Sequence, residues 1–128
     1  MHTLAALTFL LLTALTVAFQ LALAAGAPWG SITWGGKFPG TLPPRMRVAA
    51  VFSGALLSLF GYVVAVRSGL LAVQWAPVSR TLIWLVVAYC VLGVLANAAT
   101  PSKWERRIWL PVVLLMLGSS LLVATGPY

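Results

Sequence analysis

Side chains able to act as acid, base, nucleophile or metal ligand are scarce in this chain: one carboxylate (Glu105), one histidine (His2) and one thiol (Cys90). Paired acid–base work across a bond needs a second titrating group of matched environment, and Glu105 has no second acid to work with. His2 sits beside the first residue, where chain ends fray, with no carboxylate near it in sequence to orient its ring. Cys90 lies inside an apolar run, which excludes an internal disulfide or a cysteine metal cluster and suits a small buried hydrophobe. Serines and threonines are plentiful, but without a base to activate them they are ordinary hydroxyls. Glu105 follows Ser102 at the S-x-x-E spacing of a capping box, in which each side chain takes the other residue's free backbone N–H. Its expected task is therefore to start a helix. No catalytic residue, cofactor or metal site is expected.

The elements that carry these residues read as membrane spans. Of 128 residues 62% are apolar and 7% charged, with a mean hydropathy of +1.04, which leaves too little polar surface to cover a water-soluble globule. Four apolar runs match the thickness of a bilayer, at about residues 3–25, 48–66, 80–98 and 108–124. The fold class expected is all-α, a single polytopic domain (1–128) of four transmembrane helices. The Ala22-Leu23-Ala24 stretch has the small-x-small look of a signal-peptide cleavage site, but Met1-His2-Thr3 lacks the basic character of an n-region. The first run is therefore read as a retained helix. Prolines and glycines crowd residues 26–44, the longest loop, and Pro43-Pro44 open the next helix where a missing N–H costs least. Residues 67–79 mix Gly69, Gln74 and Pro77 with Leu70, Leu71 and Trp75 and are expected to lie at the membrane interface. Pro101 stops the third span, and Pro111 is expected near the first turn of the fourth.

The net charge of +7 does not signal nucleic-acid binding, because the cations sit at the ends of apolar runs, where lipid phosphates lie. Lys37, Arg45 and Arg47 belong to the first loop, Lys103, Arg106 and Arg107 to the third, and only Arg67 and Arg80 to the other side. The positive-inside rule then places loops 26–47 and 99–107 in the cytoplasm and both termini outside. Arg45, Arg47, Arg106 and Arg107, with Trp29 and Trp34, are candidate contacts for an anionic lipid phosphate or an acidic partner, since guanidinium groups bind phosphate through two parallel bonds. The Trp29-Gly30 and Trp34-Gly35 pairs make this loop either an interfacial anchor or a lid over the bundle mouth.

Helices associate in lipid through close backbone approach, so small residues four apart mark packing faces. Ala50, Gly54 and Ser58 form one, continued by Tyr62; Tyr89, Gly93 and Asn97 form another. Each face serves either packing inside the bundle or contact with a second subunit or copy. Asn97 and Gln20 are expected to hydrogen-bond across helices. None of the spans carries an ionisable residue in its middle, which argues against proton-coupled transport.

The motifs Ala27-Pro28-Trp29-Gly30, Trp34-Gly35-Gly36, Leu42-Pro43 and Arg47 resemble those of a group of short four-span bacterial membrane proteins of unassigned function. The resemblance covers about twenty residues closely and implies a bacterial plasma membrane but no activity. Together these features favour a non-catalytic accessory or scaffold subunit of a larger membrane assembly. A small oligomeric channel or transporter for a neutral or anionic solute is the alternative, and a lipid-acting membrane enzyme comes third.

Overall fold

The computed structural model describes residues 2–126, the side chains of His2 and Val73 excepted. It is all-helical: α1 (His2–Ala24), α2 (Pro44–Arg67), α3 (Ala76–Ala99) and α4 (Lys103–Ala124) are joined by segments holding three short 3-10 turns. All four helices are long and apolar enough to cross a membrane. The chain is an integral membrane protein built as a four-helix bundle.

Consecutive helices run antiparallel and close into a ring in which α1 packs most broadly on α2, α3 on α4, and α1 on α4. The α2–α3 seam is the thinnest of the four. Phe9, Val64, Ile83, Val86, Met116 and Val123 make the buried core. Leu4, Leu11, Phe52, Leu59, Leu92 and Leu115 face outward, each at least half exposed, as lipid contact requires. Hydroxyls that would otherwise meet hydrocarbon donate to their own helix: Thr16 Oγ1 to the Leu12 carbonyl (2.8 Å), Ser58 Oγ to Gly54 (2.8 Å) and Ser119 Oγ to Leu115 (2.8 Å).

The helix ends follow local chemistry. α1 finishes in a Schellman turn, with Gly26 at φ +106°, its N–H on the Leu23 carbonyl, and the Ala27 N–H on that of Ala22 at 2.9 Å. Gly69 ends α2 in the same way, with the Leu70 N–H on the Ala65 carbonyl. Pro43 in extended conformation precedes Pro44 at the first position of α2. Three helices begin earlier than the apolar runs suggest, at 44, 76 and 103 instead of 48, 80 and 108. Hydropathy marks the stretch that meets lipid, whereas the first turn tolerates prolines and charges that a span centre would not. Starting α4 at Lys103 moves Pro111 into the helix interior, where its ring removes the N–H that would bond the Arg107 carbonyl.

The segment between α1 and α2 and the link 100–102 lie together at one end of the bundle, the loop end, where the Ser102 hydroxyl donates to the Ser31 carbonyl at 2.7 Å. Chain direction puts the start of α1 and the close of α4 at the opposite end.

Candidate functional site

At the loop end α1, α3 and α4 do not close completely. They enclose a cavity of about 150 Å³ walled by Gln20, Tyr89, Gly93, Asn97, Glu105 and Trp109, among others. The same Gln20, Tyr89, Gly93, Asn97 and Glu105 also line a wider groove that reaches Ser53 on α2 and Ala96 and Ala99 on α3, so the cavity opens through the thin α2–α3 seam. Leu57, Cys90 and Met116 form the apolar floor. Beyond it, toward the other end, the core is packed around Ile83, Val86 and Val123. The site is a blind pocket in one half of the bundle.

Two polar atoms of the cavity wall, Gln20 Oε1 and Trp109 Nε1, are buried with no hydrogen-bond partner. Buried polar groups are nearly always paired, so two orphans, one acceptor and one donor, in the residues of one cavity wall are exceptions. Gln20 does not bond across helices as its position in an apolar span suggests. Asn97 also departs from that expectation: its Nδ2 donates to the Gly93 carbonyl of its own helix at 2.7 Å, which leaves its side-chain oxygen as the group it can offer the cavity.

Glu105 has more than a capping role. Ser102 Oγ accepts the Glu105 N–H at 3.2 Å, the first half of the capping box. The reciprocal half is missing: the Glu105 carboxylate accepts from the Thr100 hydroxyl, and Thr100 Oγ1 in turn accepts the Ser102 N–H at 3.2 Å. Thr100 thus takes the place of the carboxylate, which turns toward the cavity wall. Its basic neighbours are engaged elsewhere, Arg106 Nη1 on the Thr100 carbonyl at 3.0 Å and the Arg107 guanidinium 5.6 Å above the Trp104 ring.

The first loop roofs the site. Gly30 N–H on the Gly40 carbonyl (2.8 Å) closes its neck, and a Cβ at Gly30 would fall 1.7 Å from the Phe38 carbonyl oxygen. Trp34, Gly35 and Gly36 follow one another at φ +52°, +66° and +76° and form a left-handed turn against Pro101 and Ser102. A tryptophan in that region is unfavourable by about 1 kcal/mol; Trp34 lines the groove mouth and stays 41% exposed. Trp29 stacks on Phe19 at 6.1 Å, and Phe19 meets Trp109 at 4.6 Å, which makes an aromatic column from roof to cavity wall.

The four arginines singled out by sequence divide. Arg47 Nε donates to the Ala24 carbonyl at 2.8 Å and Arg106 to that of Thr100, so each caps the C-terminus of a helix, α1 and α3 respectively. Arg45 and Arg107 are exposed. The small-residue faces are occupied inside the bundle: Ala50 is buried, Gly54 meets Gln20 and Val17 of α1, and Gly93 meets Val113 of α4. Ser58 is exposed, and the close approach to α1 continues instead at Gly61, against Thr13 and Leu10. Sequence reasoning assigned no ligand role to Glu105, Trp109 or Phe19. The signal for them was Gln20 and Asn97, two amides in apolar spans at the same end of the bundle.

Comparison of the chain with family models, with curated proteins and with solved structures finds no match.

Proposed function

We propose that this protein is a non-catalytic membrane subunit that binds a small hydrogen-bonding solute in the loop-end cavity, admitted through the α2–α3 seam beneath the Trp-Gly loop. The observation that carries this reading is the pair of orphaned polar atoms, Gln20 Oε1 and Trp109 Nε1, in one open-sided pocket. The blind, packed floor supports binding over conduction. With its small-residue stripes used internally, the protein's role in a larger assembly rests on what it binds more than on a helix seam. Lys37, Arg45, Lys103 and Arg107, all exposed around the roof, suit contact with anionic lipid, and the cation bias suits a bacterial plasma membrane with the loop end in the cytoplasm.

The test is a thermal-shift survey of the detergent-purified protein against cationic, neutral and anionic small solutes, repeated on Gly93→Leu. Gly93 lines both the cavity and the groove, and a leucine there takes up space against Val113 of α4, so the comparison uses a variant preparation shown to be folded by its own melting transition. Solutes that stabilise wild type and leave Gly93→Leu unmoved support the reading; equal shifts in both place binding elsewhere. A tight complex with another membrane protein that is indifferent to Gly93→Leu would favour the plain scaffold reading.

A further inference from the structure

Resting on that binding reading, we infer that the ligand is a small organic cation, an ammonium group held between the Glu105 carboxylate and the aromatic wall of the cavity. Glu105 is the chain's single acid. It lines both the cavity and its mouth, whereas no lysine or arginine lines either. Among the described residues no cation is paired with it, since Arg106 holds the Thr100 carbonyl and Arg107 lies over Trp104. The carboxylate therefore lines the cavity with no opposite charge beside it, and a cation placed there would be attracted to it.

The rest of the wall agrees in sign. Gln20 Oε1 and the Asn97 side-chain oxygen are acceptors that no donor meets, against one unmet donor, Trp109 Nε1, which suits a hydroxyl on the ligand's stem. Phe19, Tyr89 and Trp109 bring three rings to the cavity lining, and an aromatic ring that turns its face to a cation attracts it. An anion would meet the carboxylate. A neutral solute could use the amides but not the charge. The cations at the loop end lie outside the lining, Arg106 nearest through Thr100, so the charged group in contact with a ligand is the acid. A volume of about 150 Å³ holds a benzene-sized molecule, which matches a trimethylammonium or a primary amine on a short stem. Such an ammonium could arrive as a free solute or as the headgroup of a zwitterionic lipid, its tails left in the α2–α3 seam.

The experiment compares three probes of nearly one shape on lipid-stripped protein by calorimetry: choline, its neutral isostere 3,3-dimethylbutan-1-ol, and 3,3-dimethylbutanoate. Native mass spectrometry of protein extracted from mixed vesicles, counting retained phosphatidylethanolamine against phosphatidylglycerol, supplies the lipid arm. Choline is expected to bind roughly tenfold more tightly than the alcohol, with the carboxylate weakest. Glu105→Gln, which keeps an acceptor for the Thr100 hydroxyl, is expected to weaken choline at least roughly tenfold and leave the alcohol unchanged. Trp109→Leu is expected to weaken choline as well, and Glu105→Gln, the variant that keeps the packing, should melt near wild type. Glu105-dependent retention of phosphatidylethanolamine without choline binding would support the inference with the lipid as source. If the alcohol or the carboxylate equals or exceeds choline, the cation is wrong while the solute site stands. If no probe binds and neither lipid is retained selectively, both fall.

Discussion

Arg67, in the last turn of α2, reaches across the bundle and donates from Nη2 to the carbonyls of Ala124 (3.2 Å) and Gly126 (3.0 Å), so the C-terminus of α4 is capped by a side chain 57 residues upstream. A helix end leaves carbonyls without intrahelical donors and carries partial negative charge, and a buried guanidinium answers both needs. Arg47 of α2 and Arg106 of α4 do the same at the loop end, for the C-termini of α1 and α3. Three of the chain's basic residues are thus structural as well as interfacial.

Arg67→Met should therefore loosen the far end of the bundle. Removing charge-assisted bonds and leaving buried carbonyls unpaired is expected to cost about 2–3 kcal/mol, with Arg67→Lys intermediate because the planar fork is lost. Thermal unfolding in detergent, with limited proteolysis at the α4 terminus, measures it. A Met variant with wild-type melting and protection would remove the cap from the account.

Gly30→Ala should open the roof. The added carbon would lie 1.7 Å from the Phe38 oxygen and 2.7 Å from that of Gly40, both backbone atoms that cannot swing aside. Overpacking of this kind typically costs about 1–3 kcal/mol, and here it acts on the neck of the loop. Gly40→Ala is the control: its Cβ meets nothing within 4 Å, although φ is +77°, so only the milder backbone penalty applies. Iodide quenching of tryptophan fluorescence should rise more in Gly30→Ala than in Gly40→Ala; the reverse order would mean the neck contact does not hold the loop.

Much of the fold can be read from composition, because four apolar runs separated by Pro, Gly and cations allow little else in a bilayer. The proline start of α2 at Pro44 and the Ser102 cap of α4 were equally legible, since each rests on a residue's own backbone or side-chain preference. The site was not. Whether Gln20 pairs with Asn97 or leaves a cavity depends on how far apart α1 and α3 stand, which no periodicity reports. Glu105 sits at a capping spacing that explains it completely until Thr100, five residues earlier, takes over the carboxylate's half of the box. The arginines' common end of the bundle follows from chain direction, but their partners do not, because a carbonyl 23 residues away leaves no mark in a local pattern.

Gly54→Leu should separate α1 from α2. A Cβ there already makes ordinary contact with Gln20, Val17 and Leu21 at 3.7–4.0 Å, and a full leucine side chain has nowhere to go. Gly118→Leu meets open space on α4 and removes a residue that weakens helices by about 1 kcal/mol in water. The first is expected to lower the melting temperature by several degrees and the second to leave it level or raised. Should the two variants behave alike, the intramolecular assignment of the α2 stripe is wrong.

Gln20→Leu is the prediction that best separates a working site from a packing flaw. A buried acceptor without a partner destabilises the protein by about 1–3 kcal/mol, and leucine is close in volume while bringing no polar atom. If the cavity exists to bind, this substitution should raise the melting temperature of the ligand-free protein by a few degrees and at the same time abolish the shift produced by any cavity ligand. If Gln20 were instead satisfied in the membrane by an unseen structural contact, stability and ligand response would fall together. Differential scanning fluorimetry of wild type and Gln20→Leu, each with and without the best-binding solute, gives both quantities in one series. Higher intrinsic stability joined to lost response is the signature of a residue retained for what it holds.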